Sequence, residues 1–219
     1  TVRDGYSGLF LPYPLKHRDA DQVRSALTHF SPRAPTDVVV CKGDNASEAK
    51  KALVNLGWRH DPSLENRWPH NSAHERDART WGEILRTNYL SSGVHVFPGT
   101  WPTAAKYAGV AFCIAAHPPI FDSERGTETE TAKLAANRWA YATGGEFPGR
   151  ILALGQLCHY RKVSDDKTAP AAVPGIFAGW RIEAGPRYRH VCLVFSLHAL
   201  KHREGKYGEP ISVPAAELY

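Results

Sequence analysis

Two carboxylates in this 219-residue sequence occupy places where ionic chemistry is readily built. Asp44 follows the apolar run Val38-Val39-Val40-Cys41 and the pair Lys42-Gly43. That places it just past the C-terminal end of a predicted strand, where open α/β sheets put their ligands because side chains there point into the crevice beyond the sheet. Glu75 falls near the start of a predicted helix from Ser72 to Leu90, on its polar side. Brought together, the two would hold Mg²⁺ (or Mn²⁺), hard ions that prefer a few carboxylate oxygens with water and substrate phosphate. In a two-metal site such ions activate an attacking oxygen and stabilise a leaving one during phosphoryl transfer. The same residue types also have a plain structural use. Asp-Asn after a strand is a common turn, and a Glu in a first helical turn complements the helix dipole. Residue types alone leave both readings open.

The elements that must position these acids follow from pattern and punctuation. Val2 to Leu15 reads as a hairpin, with Asp4-Gly5-Tyr6-Ser7-Gly8 as its turn and Leu9 to Tyr13 as the returning strand. Val23, Ala26, Leu27 and Phe30 recur at helical spacing behind Asp19 and Asp21, which predicts a helix over 20–30. Residues 37–42 are β-branched and apolar on both faces, as expected of a strand in the middle of a sheet. Ala49, Ala52, Leu53 and Leu56 predict a second helix over 48–56, closed by Gly57. Residues 61–71 are polar and read as a loop. In the long helix that follows, Ala78, Trp81, Leu85 and Tyr89 share one side. Pro98, Gly99 and Pro102 interrupt the chain before an apolar helix over roughly 103–115. Alternation of strands and helices indicates an α/β layer fold.

Residues 121–149 read as a connector with a short helix near 131–141. Beyond it, 151–160, 175–182 and 191–197 are β-prone runs separated by turn residues, the spacing of a small all-β domain. The expected organisation is therefore a core over 1–120, a linker over 121–149 and a small basic β domain over 150–219.

Composition narrows the classes. With 42% apolar and 22% charged residues the chain is that of a globular protein. The longest uncharged stretch, from Tyr107 to Phe121, is broken by Gly109, His117, Pro118 and Pro119, so no membrane segment is expected. Cys41, Cys113, Cys158 and Cys192 form no C-x-x-C pair, which argues for reduced thiols over a zinc ribbon or a disulfide framework. Starting at Thr1 and containing no methionine, the sequence is expected to be a processed product or a fragment. The net charge of +5 is uneven, because residues 150–219 carry ten Lys/Arg against six Asp/Glu. A basic C-terminal part suits a nucleic-acid backbone, although a basic surface without such a partner is equally compatible with charge alone. Among the eleven histidines, His198 and His202 would share a face only if their segment is helical.

The motifs, in their order, resemble the integrases of retroelements, especially the copia-like group. Asp4-Gly5-Tyr6-Ser7-Gly8 is similar to the hairpin after that family's first strand, and Lys42-Gly43-Asp44-Asn45 to its S-D-N motif carrying the second catalytic Asp. Leu56-Gly57-Trp58 with His60 resembles L-G-I-x-H. Pro69-His70-Asn71-Ser72-Ala73-His74-Glu75-Arg76 resembles P-Q-x-N-G-x-x-E-R, whose Glu is the third acid, and Trp101-Pro102 before an apolar helix also matches. The tail, from Leu154-Gly155 through Tyr160 and Lys167 to Gly175-Ile176-Phe177-Ala178-Gly179-Trp180, resembles the segment that follows copia-like cores.

The resemblance implies a ribonuclease H-like core with a mixed sheet and flanking helices, followed by a small β domain that contacts DNA. It implies Asp44 and Glu75 as catalytic and Mg²⁺-binding (or Mn²⁺-binding) residues. It also implies Arg67, Arg79, Arg161, Lys162, Arg181, Arg187 and Arg189 as nucleic-acid contacts, with Tyr188 interleaved. Glu65, Arg67 and Trp68 would lie in the loop near the site. Two departures from the family are visible. The interval between Asp44 and Glu75 is about five residues short, and the strand bearing the first catalytic Asp is expected upstream of Thr1, since Asp4 belongs to the hairpin. The His/Cys spacing of the family's N-terminal zinc module is absent. The expected function is DNA binding and strand transfer in a retroelement by a homo-oligomer or larger assembly, inside the cell and in the nucleus if the chain acts as an integrase. The alternative is a catalytically inactive, domesticated or truncated relative serving as a structural or binding subunit.

Overall fold

In the computed structural model the described residues are 1–32, 39–63, 72–118, 135–161, 171–202 and 208–219. The chain is mixed α/β. Strands β1 (Val2–Arg3) and β2 (Phe10–Leu11) form an antiparallel pair. The turn between them is held by Asp4, whose Oδ2 accepts from the backbone N–H and the hydroxyl of Ser7, both at 2.6 Å. Asp4 therefore works as a turn residue, the side-chain cap its position in the hairpin suggests.

Helix α1 (Ala20–Phe30) starts on Asp19, whose carboxylate accepts from Gln22 N–H. Strand β3 (Val40–Gly43) leads through α2 (Ser47–Leu56) to β4 (Arg59–Pro62), and β3 and β4 pair in parallel. A parallel pair needs such a crossover. Gly57 ends α2 at φ +68°, the left-handed conformation that lets its N–H close onto Leu53 and Val54 carbonyls. The expectation of a strand buried in mid-sheet is not met by β3. Its partner among the described residues is β4 alone, and Val40 is 56% exposed. Among the described residues β3 is thus paired along one edge alone, an edge strand rather than a mid-sheet one. Asp61 and Pro62, expected in a loop, extend β4.

Helix α3 (Ser72–Ser91) matches the expected long helix. Helix α4 (Trp101–Ala115) begins two residues earlier than expected because Pro102 sits in its first turn, where the missing N–H costs nothing. Tyr107, Ala108, Gly109, Val110, Phe112 and Cys113 are all buried, so α4 is apolar around most of its circumference and runs through the core. It packs on α3, on β2, on α5 (Arg138–Thr143) and on the C-terminal sheet. Gly109 allows one of these approaches, since a Cβ there would lie 2.1 Å from Pro12 Cδ. The short helix expected near 131–141 is found as α5, and residues 131–134 lie outside the described residues.

The C-terminal part is a four-stranded antiparallel sheet in sequence order, β5 (Leu157–Arg161), β6 (Ala172–Glu183), β7 (Arg187–Ser196) and β8 (Ile211–Pro214). Six-residue helix α6 (Leu197–His202) follows β7. Residues 151–156, expected as strand, precede β5 without regular structure, whereas β6 and β7 are longer than their apolar runs. The core is continuous between α4 and this sheet. Tyr107 stacks on Trp180 with ring centroids 5.1 Å apart, and Phe177, Cys192, Val194 and Val213 close around them. All four cysteines are free. Burial pushes the Cys113 thiol up to about 12 and that of Cys158 to about 11, so both stay protonated as small apolar groups.

Candidate carboxylate site and basic surface

Asp44 sits where the sequence placed it, directly after β3, and is exposed. Its Oδ1 accepts from Ala46 N–H at a long 3.4 Å, so the carboxylate supports the turn into α2 only weakly. Glu75 is exposed in the first turn of α3. Carboxylate oxygens at two element ends are the donor chemistry a hard cation takes. Among the described residues, however, no group of three or more His, Cys, Asp or Glu side chains is placed to hold a metal ion. Glu65, Arg67 and Trp68 lie outside the described residues. On β4, His60 carries a buried ring Nε2 with no hydrogen-bond partner among the described residues.

Two positions after Glu75 the helix carries a carboxylate of the opposite kind. At about 100° per residue, Asp77 lies across the helix from Glu75. It is 6% exposed. Arg138 donates to it through Nη1 (2.7 Å to Oδ2) and Nη2 (3.0 Å to Oδ1), and Arg3 donates through Nε (2.6 Å to Oδ2). Arg138 also donates to the carbonyls of Gly8 and His117 and lies over the Phe112 ring at 4.7 Å. Hairpin, α3, the end of α4 and α5 thus meet on one charged node. Burial alone would raise the Asp77 carboxyl, but hydrogen bonds and charge from Arg138 and Arg3 outweigh it and hold the group below the ordinary carboxylate range. Sequence reasoning missed this node. The signal was present, because Asp77 and Trp81 are four apart and a lone acid on the apolar side of a helix demands a buried partner.

The proposed basic contacts differ in what they already touch. Arg79 is exposed on α3. Arg161, at the end of β5, lies 4.0 Å from Glu217, and Arg181 on β6 pairs with Glu183 at 3.0 Å. Arg187 and Arg189 are exposed on β7, and Arg187 donates to the Ala184 carbonyl. Arg187 also lines a cleft of about 460 Å³ together with Asp4, Phe30 and Thr143. Lys162 and Lys167 lie outside the described residues. Tyr188 is not interleaved with these cations at the surface. It packs inward on Phe147 at 4.9 Å with its hydroxyl 3.6 Å from Cys192 Sγ, and burial pushes its phenol up.

No helix among the described residues is long and apolar enough to cross a membrane. No family model matches the sequence, and no curated protein does. Among solved structures the chain is similar to a chain in the simian T-cell lymphotropic virus intasome in complex with PP2A regulatory subunit B56 gamma. That likeness has 15% identity and a TM-score of 0.45, covering 99% of this chain and 69% of that one.

Proposed function

We propose that this chain is an integrase-like DNA-binding and strand-transfer protein of a retroelement. The observation that carries the reading is the placement of two motif acids. Asp44 follows directly on a parallel strand and Glu75 stands exposed at the start of the next long helix, each within a segment that resembles an integrase motif. Asp44 and Glu75 would hold Mg²⁺ or Mn²⁺ together with a third carboxylate from outside the described residues. Bound there, the ion would stabilise charge on the reacting phosphoryl oxygens. Water or a DNA 3′-hydroxyl would attack, and a DNA phosphodiester would be the electrophile. The basic C-terminal sheet would add sequence-independent phosphate contacts, Arg189 and Arg187 foremost. The test is Mg²⁺-dependent strand transfer with Asp44→Asn and Glu75→Gln as controls. Loss of activity in both supports the roles, and activity indifferent to both removes them.

One observation favours the alternative, an inactive relative acting as a subunit of a larger assembly. Among the described residues β1–β2 and β3–β4 are separate two-stranded sheets, so β1 and β3 each have an edge without a strand partner. Such edges accept a strand from another chain. Size-exclusion chromatography with light scattering, read beside the strand-transfer assay, separates the two readings. A folded, DNA-binding monomer counts against the subunit role, and an obligate assembly without turnover supports it.

A further inference from the structure

The segment after β7 is helical, and this brings two imidazoles together on the surface. Helix α6 (Leu197–His202) is held at its start and by one buried side chain. Ser196 Oγ accepts from Ala199 N–H at 3.3 Å as an N-terminal cap, and Leu200 is 1% exposed in a cluster with Ala178 and Phe195. Leu200 lies two residues from both His198 and His202, which puts the histidines on the face turned away from that anchor. Both are exposed, and their ring centroids are 4.5 Å apart at an interplanar angle of 43°.

We propose that His198 and His202 form a chelating site for a first-row transition-metal ion. Imidazole suits Cu²⁺, Ni²⁺ and Zn²⁺ and is a poor ligand for Mg²⁺, so the site is chemically distinct from the carboxylates at Asp44 and Glu75. An ion about 2.0–2.1 Å from one nitrogen of each ring sets the ring centres about 4.5–5.2 Å apart for ligand angles from square to tetrahedral. The observed spacing of 4.5 Å falls within that range. Histidines at i, i+4 on one helix face are the spacing by which helices present two ligands to zinc.

The experiment uses the untagged full chain with CuSO₄, NiCl₂ and ZnCl₂ in isothermal titration calorimetry. The expected result is one equivalent bound, with Cu²⁺ tighter than Ni²⁺ and Zn²⁺. His198→Ala and His202→Ala should each weaken binding at least tenfold, while His95→Ala leaves it unchanged. Both substitutions are at exposed positions, and far-UV circular dichroism of each variant checks that the fold is kept. The spectrum of bound Cu²⁺ supplies an independent readout, since two coordinated imidazole nitrogens are expected in its superhyperfine pattern. Equal binding by the wild-type chain and both variants, absence of binding, or a one-nitrogen pattern would overturn the proposal.

Discussion

Around α4, side chains from β2, α3 and all four strands of the C-terminal sheet interlock, whereas α1 and α2 bury chiefly Ala26, Leu27, Ala52 and Leu53 beside the two-stranded β3–β4 pair. The exposure of Val40 and Val54 belongs to the second, thinner region. Acids are divided in a parallel way. Asp77, at the well-packed end, is consumed by two arginines, while Asp44, on the thin region, and Glu75, on the outer face of α3, are exposed. A carboxylate buried among fixed partners holds elements together, and one exposed at an element end is available to a ligand. Proximity in sequence does not decide which, as the two-residue interval between Glu75 and Asp77 demonstrates.

The largest expected effect breaks the structural half of that comparison. Asp77→Ala leaves the mostly covered guanidinium groups of Arg3 and Arg138 without their anion and should cost about 3–5 kcal/mol in denaturant unfolding. The native ion pair also has a pH signature. Because the folded-state carboxyl lies below its ordinary value of 3.8, its stabilising contribution is present above that value and is lost as pH falls through the depressed folded-state value. Acid unfolding of the wild-type chain should steepen in that window, and the Asp77→Ala variant should lack this component. A smaller effect is expected where α4 meets the hairpin. Gly109→Val drives a side chain into Pro12 and should cost about 1–3 kcal/mol by the same measurement.

The sequence disclosed periodic features well and environments poorly. The hairpin, α1, α2 with its Gly57 cap, and α3 follow from spacing and capping residues, and each is present. Val38-Val39-Val40-Cys41 misled because an apolar run reports a strand without reporting its neighbours. Tyr188 misled because its cationic flanks suggested a surface, whereas period-two alternation along β7 turns it toward Phe147. The Asp77 node joins residues 3, 77 and 138, a separation no local pattern expresses. Asp44 and Glu75 were legible as motif acids, yet the company they keep depends on chain that spacing cannot describe.

Finer comparisons concern the basic surface. Arg161 and Arg181 share their charge with Glu217 and Glu183, so Arg189→Ala should reduce the salt dependence of DNA binding by about 0.9 in log–log slope, more than Arg161→Ala or Arg181→Ala. Equal slopes for all three would show that those glutamates do not compete with phosphate. The smallest stability effect belongs to the candidate site itself. Asp44→Asn and Glu75→Gln should each change unfolding free energy by less than about 0.5 kcal/mol, as expected of exposed groups with little structural duty. A cost near that of Asp77→Ala would place them with the structural acids instead.

The most direct test is whether Asp44 and Glu75 attend the same ion. Titrating Mn²⁺ into the isotope-labelled chain and following amide signals by NMR reads this without requiring turnover. The expected result is that signals around Asp44 and Glu75 broaden together at the same Mn²⁺ concentration, and that Asp44→Asn relieves both. Broadening at one acid alone, or at neither, would contradict it.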